Sequence, residues 1–488
     1  DDAVADDDSV VDDDDAAADD DDSAAHPGAD EERDAPPSEE RDEEDPVCRN
    51  DPGTQTVQYL SADDSNSQAD PAQHREMILH HGRVPTRAKP WEYLNYFDFD
   101  YAAAEAGTLR IVPELRARPG APNEYDLLVA VVAPDVTPED RKPLNLVFSL
   151  DVSGSMAGAG IATSQATLRA IAASLKAGDF VSVVLWSERD AVVLQHHQVQ
   201  GANDATFLDV VDRLVVGGGT NLEGGLEAAY DLATVEPIPG TTNRVVLISD
   251  GGANVGVTSA NIIAQHARNG EAEGVFLVGI GVPPANRYDD ALMDSVTDLG
   301  RGAYLYVDSA CEAGVRFTPE TLPSVFGVAA LDVRLKMTLP SGLLVHRFTG
   351  EQISFSPADV VPQHLSFNDQ MLYDIDLIDC GASNDSLEYE LAFEAAWRDP
   401  KTGDARVDSV SITLGELLQS PYLQLRKAEA AVAFALSFEQ VHQLETATAE
   451  RLYLDDMRDY FDAVRGEIGD DRDLNELDRL LDAWRAMY

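Results

Sequence analysis

From residue 144 to residue 307, short and almost wholly apolar runs alternate with stretches of helix length. The runs read LNLVFSLD, DFVSVVLWS, NRVVLISD, GVFLVGIGV and GAYLYVD. A strand that is apolar on both faces has to be covered on both, and the intervening segments supply the covers. The pattern predicts an α/β fold with a Rossmann-like, doubly wound and mostly parallel sheet. Helices are expected near 161–176, 204–214, 222–234, 258–269 and 289–298, with a further short strand at AVVLQ.

The flanks obey other periods. Upstream, TVQYL reads as a strand, and AQHREMILHHGRVP as a helix ended by Gly82 and Pro85. The aromatic run from Trp91 to Tyr101 is expected to pack onto a core. Strands follow at TLRIVPELRA and EYDLLVAVVAP. After residue 327 the pattern is all strand until about residue 419, which suggests an antiparallel sandwich. The order strand, α/β, strand predicts that the α/β region is inserted into a β-sandwich built from preceding and following strands. From residue 420 onward, apolar residues recur at helical spacing, so C-terminal helices complete the chain. The expected division is an acidic linker at 1–54, an N-terminal extension at 55–139, the α/β domain at 140–326, a β-rich domain at 327–419 and a helical segment at 420–488.

Composition restricts the partners. The net charge is −54, and 20 of those charges lie in the first 50 residues, which carry 23 acids against 3 arginines. That low-complexity segment cannot bury enough apolar surface to fold and reads as an extended spacer. So acidic a chain repels phosphate and anionic lipid, so nucleic acid is excluded as a partner. Only 6 of the 35 basic residues are Lys, a bias consistent with salt adaptation or with coding composition. No run of about 18 apolar residues exists to span a bilayer. The chain begins at Asp1 rather than Met, which leaves room for a removed leader and a lipid anchor lost with it. Cys48, Cys311 and Cys380 are widely spaced and fit no zinc pattern or disulfide framework. At most one pair can bridge, and isolated thiols are the expected state.

The chemistry concentrates where apolar strands end. In DVSGSM, Asp151, Ser153 and Ser155 present a carboxylate and two hydroxyls at alternate positions. GGGTN carries Thr220 in a loop that opens a helix, and LISDGG places Asp250 at the end of another strand. In a doubly wound sheet, ligands lie beyond the carboxyl ends of the strands. Two carboxylates and three hydroxyls are all hard oxygen donors, a set that suits Mg²⁺ or Mn²⁺, with Ca²⁺ as a further candidate. Glycines at 154, 217–219 and 251–252 let the backbone turn around such an ion.

These three segments, in this order, resemble the metal-ion-dependent adhesion site of von Willebrand factor type A domains. WEYLNYFDFDY, YLSADDSNS and NRVVLISDGGANVGVTS are similar to a bacterial branch of that family that carries an N-terminal extension. The resemblance covers roughly residues 55–330. It implies that Ser153, Ser155 and Thr220 are direct ligands and that Asp151 and Asp250 act in the first or second shell. It also implies an open coordination position for an Asp or Glu carboxylate of a protein partner.

Three readings of function follow. One is a metal-dependent binding module, not an enzyme, located outside the cytoplasm at the cell envelope or surface. Another is an intracellular scaffold or regulatory subunit working with an ATPase. The third is a metal-assisted hydrolase, for which no general base stands out. Other motifs fail. The stretch from Asp470 to Asp482 lacks the Gly and Glu of a calcium loop and reads as helix-start chemistry. SADDSNS reads as turn or cap chemistry rather than a second ion site. No histidine pair has zinc spacing, and no phosphate-binding loop or nucleophile elbow is present.

Overall fold

The computed structural model describes residues 47–487 except 51–52, 64–65, 122, 236–237, 239, 253–273 and 382–385. The acidic spacer up to residue 46 and the helix expected near 258–269 lie outside the described residues. Three strands precede the α/β region: β1 (Thr56–Ser61), β2 (Arg110–Ala117) and β3 (Glu124–Val132). Within it run β4 (Leu144–Asp151), β5 (Phe180–Trp186), β6 (Asp190–Gln198), β7 (Thr242–Ser249), β8 (Phe276–Gly281) and β9 (Arg301–Tyr306). After it come β10 (Ala330–Leu339), β11 (Leu343–Thr349), β12 (Gln352–Ser354), β13 (Gln363–Leu365), β14 (Gln370–Asp379), β15 (Glu390–Arg398) and β16 (Ala405–Thr413).

The α/β sheet has the order β6-β5-β4-β7-β8-β9, parallel except for the edge strand β6. Its faces feed two cores. Val147 joins one, while Leu146, Phe148 and Leu150 of the same strand join the other. This alternation is why every residue of β4 is buried. The far edge, at β9, is covered by Ser67 and Gln68; the Gln68 N–H donates to the Tyr304 carbonyl at 2.8 Å.

The α/β region is inserted into a sandwich, as the strand order predicts. One sheet runs β12-β1-β10-β15-β16, with β13 also on β10, and the other runs β11-β14-β3-β2. Each sheet joins strands from before and after the insertion: β1 pairs with β10, and β3 with β14. Strand β3 is buried on both faces. Leu127, Val129 and Val131 point into the sandwich core, while Leu128, Ala130 and Val132 point into a helical core. That helical core is built by the C-terminal helices Leu423–His442, Ala447–Ile468 and Arg472–Arg485. It is continuous with one face of the α/β sheet through the helices Asp70–His81 and Pro90–Tyr96. The aromatic run packs as expected: Tyr93, Tyr96, Phe97 and Phe99 are all buried.

The cysteine expectation is corrected. Cys48 and Cys380, 332 residues apart, form a disulfide, and only Cys311 is free among the cysteines. Sequence spacing carries no sign of this pair. The fold brings the chain before β1 beside the residue after β14, at a Cα–Cα separation of 5.3 Å. In SADDSNS, Asp63 accepts the Ser67 N–H at 2.5 Å, which is turn chemistry of the expected kind.

Arg75 holds three segments together from the helix Asp70–His81. Its guanidinium donates to Asp308 at 2.6 Å, Glu312 at 2.9 Å, Glu476 at 2.7 Å and the Tyr96 hydroxyl at 2.7 Å. Replacing it by Met keeps the apolar stem but strips buried Asp308 of its guanidinium and leaves Glu312 to Arg316. Arg75→Met is expected to destabilise the chain by about 3–5 kcal/mol in urea denaturation.

Several carboxyls are buried without full compensation. Burial pushes Asp369 and Glu429 up to about 7 and Asp374 up to about 6. Each holds its proton more tightly folded than unfolded, so its contribution is present at low pH and lost as pH rises through the folded value. His74 acts oppositely. Burial lowers it to about 3, so its contribution is lost as pH falls below the ordinary 6.5. Above that point the carboxyls act alone. Unfolding free energy is expected to fall by about 1–3 kcal/mol between about pH 6.5 and 8.5, and less in Asp369→Asn.

Candidate metal centre

Strand β4 ends on Asp151, 1% exposed, and both of its carboxylate oxygens are engaged. Oδ1 accepts the Ser153 N–H at 2.8 Å, and Oδ2 accepts the Ser249 hydroxyl at 2.8 Å. The Ser153 and Ser155 hydroxyls lie 2.9 Å apart. Ser155 donates in turn to Asp250 Oδ1 at 3.2 Å, which also accepts the Gly252 N–H at 3.1 Å. Four of the five expected residues therefore form one continuous line of oxygens across the ends of β4 and β7.

Thr220, the fifth, comes from the neighbouring loop. That loop is fastened to the first by Gly217 N–H to the Val152 carbonyl at 2.8 Å and Gly154 N–H to the Gly218 carbonyl at 3.3 Å. The Thr220 side chain is exposed, and among the described residues no hydrogen bond ties it to the other four. Its height is set from below. The helix Leu222–Val235 starts just after it and lies so close to Trp186 that a Cβ on Gly225 would fall 2.2 Å from the indole. Asn221 caps this helix by accepting the Gly224 N–H at 3.2 Å.

Two glycines serve in unlike ways. Gly251 has φ +74°, and a Cβ there would meet the Asp289 amide nitrogen at 2.7 Å, so no other residue fits. Gly154 does not have a positive φ. It contributes its N–H to the second loop instead of a special turn. Ser249 was not singled out in the sequence, yet it organises the site. Its hydroxyl donates to Asp151 and accepts the Gly251 N–H at 3.1 Å. Its place beside Asp250 at the end of an apolar strand was the available signal.

The electrostatics favour a cation. Burial raises the Asp151 pKa; hydrogen bonds from Ser153 and Ser249 oppose this, and the Asp250 charge adds to it. Among the described residues neither Asp151 nor Asp250 pairs with Lys or Arg. No group of three or more His, Cys, Asp and Glu side chains converges among the described residues. The donors here are instead two carboxylates and three hydroxyls, which fit a hard divalent ion that keeps some water. Such an ion would neutralise the paired carboxylates and act as a Lewis acid toward a further oxygen ligand.

Residues 146–253 match the family model described as von Willebrand factor type A domain. YfbK of Escherichia coli K12 is 27% identical over 387 residues, covering 72% of this chain. Protein sll0103 of Synechocystis is 27% identical over 198 residues, covering 40% of this chain. The chain spans 65% of the first relative's length and 45% of the second's. A solved structure, von Willebrand factor type A from Catenulispora acidiphila, aligns at 18% identity with a TM-score of 0.46. That alignment covers 76% of this chain and 89% of the other. Domains of this type commonly serve as metal-dependent protein-interaction modules. The α/β fold is of the von Willebrand factor type A kind, and residues 146–253 match that family's model.

Proposed function

We propose that this chain is a metal-dependent protein-binding module that captures an Asp or Glu carboxylate of its partner through a Mg²⁺-type ion. Asp151, Ser153, Ser155, Thr220 and Asp250 hold the ion, and the chain's surface around them selects the partner. The observation that carries this reading is the line of oxygens at the ends of β4 and β7, whose two carboxylates meet no Lys or Arg among the described residues. Ser155 and Thr220 are exposed, so the ion is open to a ligand from outside. A bound dication also explains how so acidic a protein holds an acidic ligand. Among the described residues no His or Lys makes a hydrogen bond or ion pair with these oxygens, which supports binding over hydrolysis.

We place the module in an oxidising compartment, exported to the cell envelope or surface. The Cys48–Cys380 disulfide supports this, because such bonds persist outside the reducing cytoplasm. The same bond disfavours an intracellular scaffold.

Mn²⁺ titration followed by electron paramagnetic resonance tests the ion site. One ion per chain is expected, competed by Mg²⁺ and weakened about tenfold or more in Ser153→Ala with Thr220→Ala. Saturating Mg²⁺ should also raise unfolding free energy by about 3 kcal/mol at roughly a hundredfold excess over Kd. Unchanged Mn²⁺ binding in the double variant would sink the proposal. Gly225→Ala, at a remove from the ion, pushes the helix off Trp186 and is expected to weaken Mn²⁺ binding through Thr220. An unaltered affinity in a folded Gly225→Ala protein shows that the helix does not position Thr220.

A further inference from the structure

A cavity lies at the pole of the inserted domain opposite the candidate metal centre. It encloses about 280 Å³ and is lined where β4, β7 and β8 begin, by Leu144, Thr242 and Phe276. The metal oxygens lie where β4 and β7 end, one strand length or roughly 25 Å away. Both chain crossings between the α/β domain and the sandwich border the cavity: Pro134 to Val136 on the way in, and Pro323 to Val328 on the way out. Junctions between domains are favoured places for small-molecule sites, which start at roughly 300 Å³.

Its walls are apolar. Phe276, Leu331, Phe367 and Trp397 enclose it. Its charges run against those of the whole chain. Acids outnumber bases 89 to 35 overall, yet Arg141, Lys142, Arg244 and Lys401 line the cavity against Asp135, Asp140 and Asp399. Two of the six lysines in the sequence are among them. Arg141 is committed to Asp179 at 2.6 Å, and Asp399 to Arg406 at 2.7 Å.

Arg244 is 3% exposed; its guanidinium donates to the Asn243 carbonyl at 2.6 Å and lies 5.0 Å from the centre of the Phe276 ring, so a ligand would share it with the backbone. The other face of this wall adds more positive charge. The His364 ring lies 4.7 Å from the Phe276 ring, beside Arg301 and Arg398, which share Asp332. Burial first, and then Arg301, Arg244 and Arg398 against Asp332, hold His364 down to about 3. A buried guanidinium, in a positive neighbourhood, bordering an apolar chamber, is the chemistry that recognises an apolar acid.

We propose that this junction cavity binds a small amphipathic carboxylate, its apolar body against Phe276, Phe367 and Trp397 and its carboxylate toward Arg244 and Lys401. Bound there, the ligand touches both domains and both crossings, so it braces the α/β domain on the sandwich. This site is separate from the ion site, and its test needs no metal.

Isothermal titration of the full chain with octanoate in chelator-treated buffer provides that test. One saturable site in the micromolar to millimolar range is expected, with octanol about tenfold weaker. Lys401→Glu, at an exposed position, should weaken octanoate about fivefold or more, and Val328→Trp should fill the chamber and abolish binding. Circular dichroism and urea denaturation check that both variants remain folded. If Val328→Trp does not fold, Lys401→Glu and the octanol comparison decide. Absence of saturable octanoate binding overturns the proposal. So does octanol binding as tightly as octanoate, or octanoate binding unchanged in folded Lys401→Glu.

Discussion

The architecture turns on the buried guanidinium of Arg75. It comes from a helix between β1 and β2 of the sandwich and meets Asp308 and Glu312 at the end of the α/β region and Glu476 in the last helix. Those partners lie hundreds of residues from it in sequence. An ion pair so enclosed is weak evidence for net stability, but removing the guanidinium strands Asp308. The contact therefore acts mainly as a geometric specification. Only one placement of helix, inserted domain and C-terminal hairpin satisfies all four acceptors.

That placement shapes access to the ion site. Glu76, next to Arg75, accepts the Tyr306 hydroxyl at 2.7 Å and the Ala285 N–H at 3.2 Å. Gln73 donates to Asp290 at 2.7 Å. The helix Asp70–His81 thus lies against the loops that follow β8 and β9, on the carboxyl-end side of the sheet. The ends of β4 and β7 stay open, with Ser155 and Thr220 exposed. Such fixed surface beside the open strand ends would be a natural source of selectivity for the proposed partner.

Much of this was legible because it is local. Runs such as NRVVLISD carry apolar residues at both parities, and only two covered faces accommodate them. Alternate oxygens in DVSGSM, with Thr220 in a helix-opening loop and Asp250 at another strand end, made the candidate site readable across 100 residues of chain. The structure joins Asp151, Ser153, Ser155 and Asp250 directly and sets the Thr220 loop beside them. Ser249 was not legible, because a serine at a strand end has many uses and only proximity to Asp151 gives it this one. Gly154 was assigned a turn, yet it supplies a hydrogen bond to a loop that sequence cannot place.

By itself the sequence determined the order of elements, the insertion of the α/β domain between strands of a sandwich, and which oxygen-bearing side chains gather as a candidate site. Each follows from period, polarity and donor type, which are properties of short segments. Tertiary structure alone decided that Cys48 reaches Cys380, that Arg75 gathers three segments, and that Arg244 and Lys401 border one apolar chamber. Those are relations between residues far apart in the chain. They arise only when burial brings surfaces together, and no local pattern encodes which distant surface each will meet.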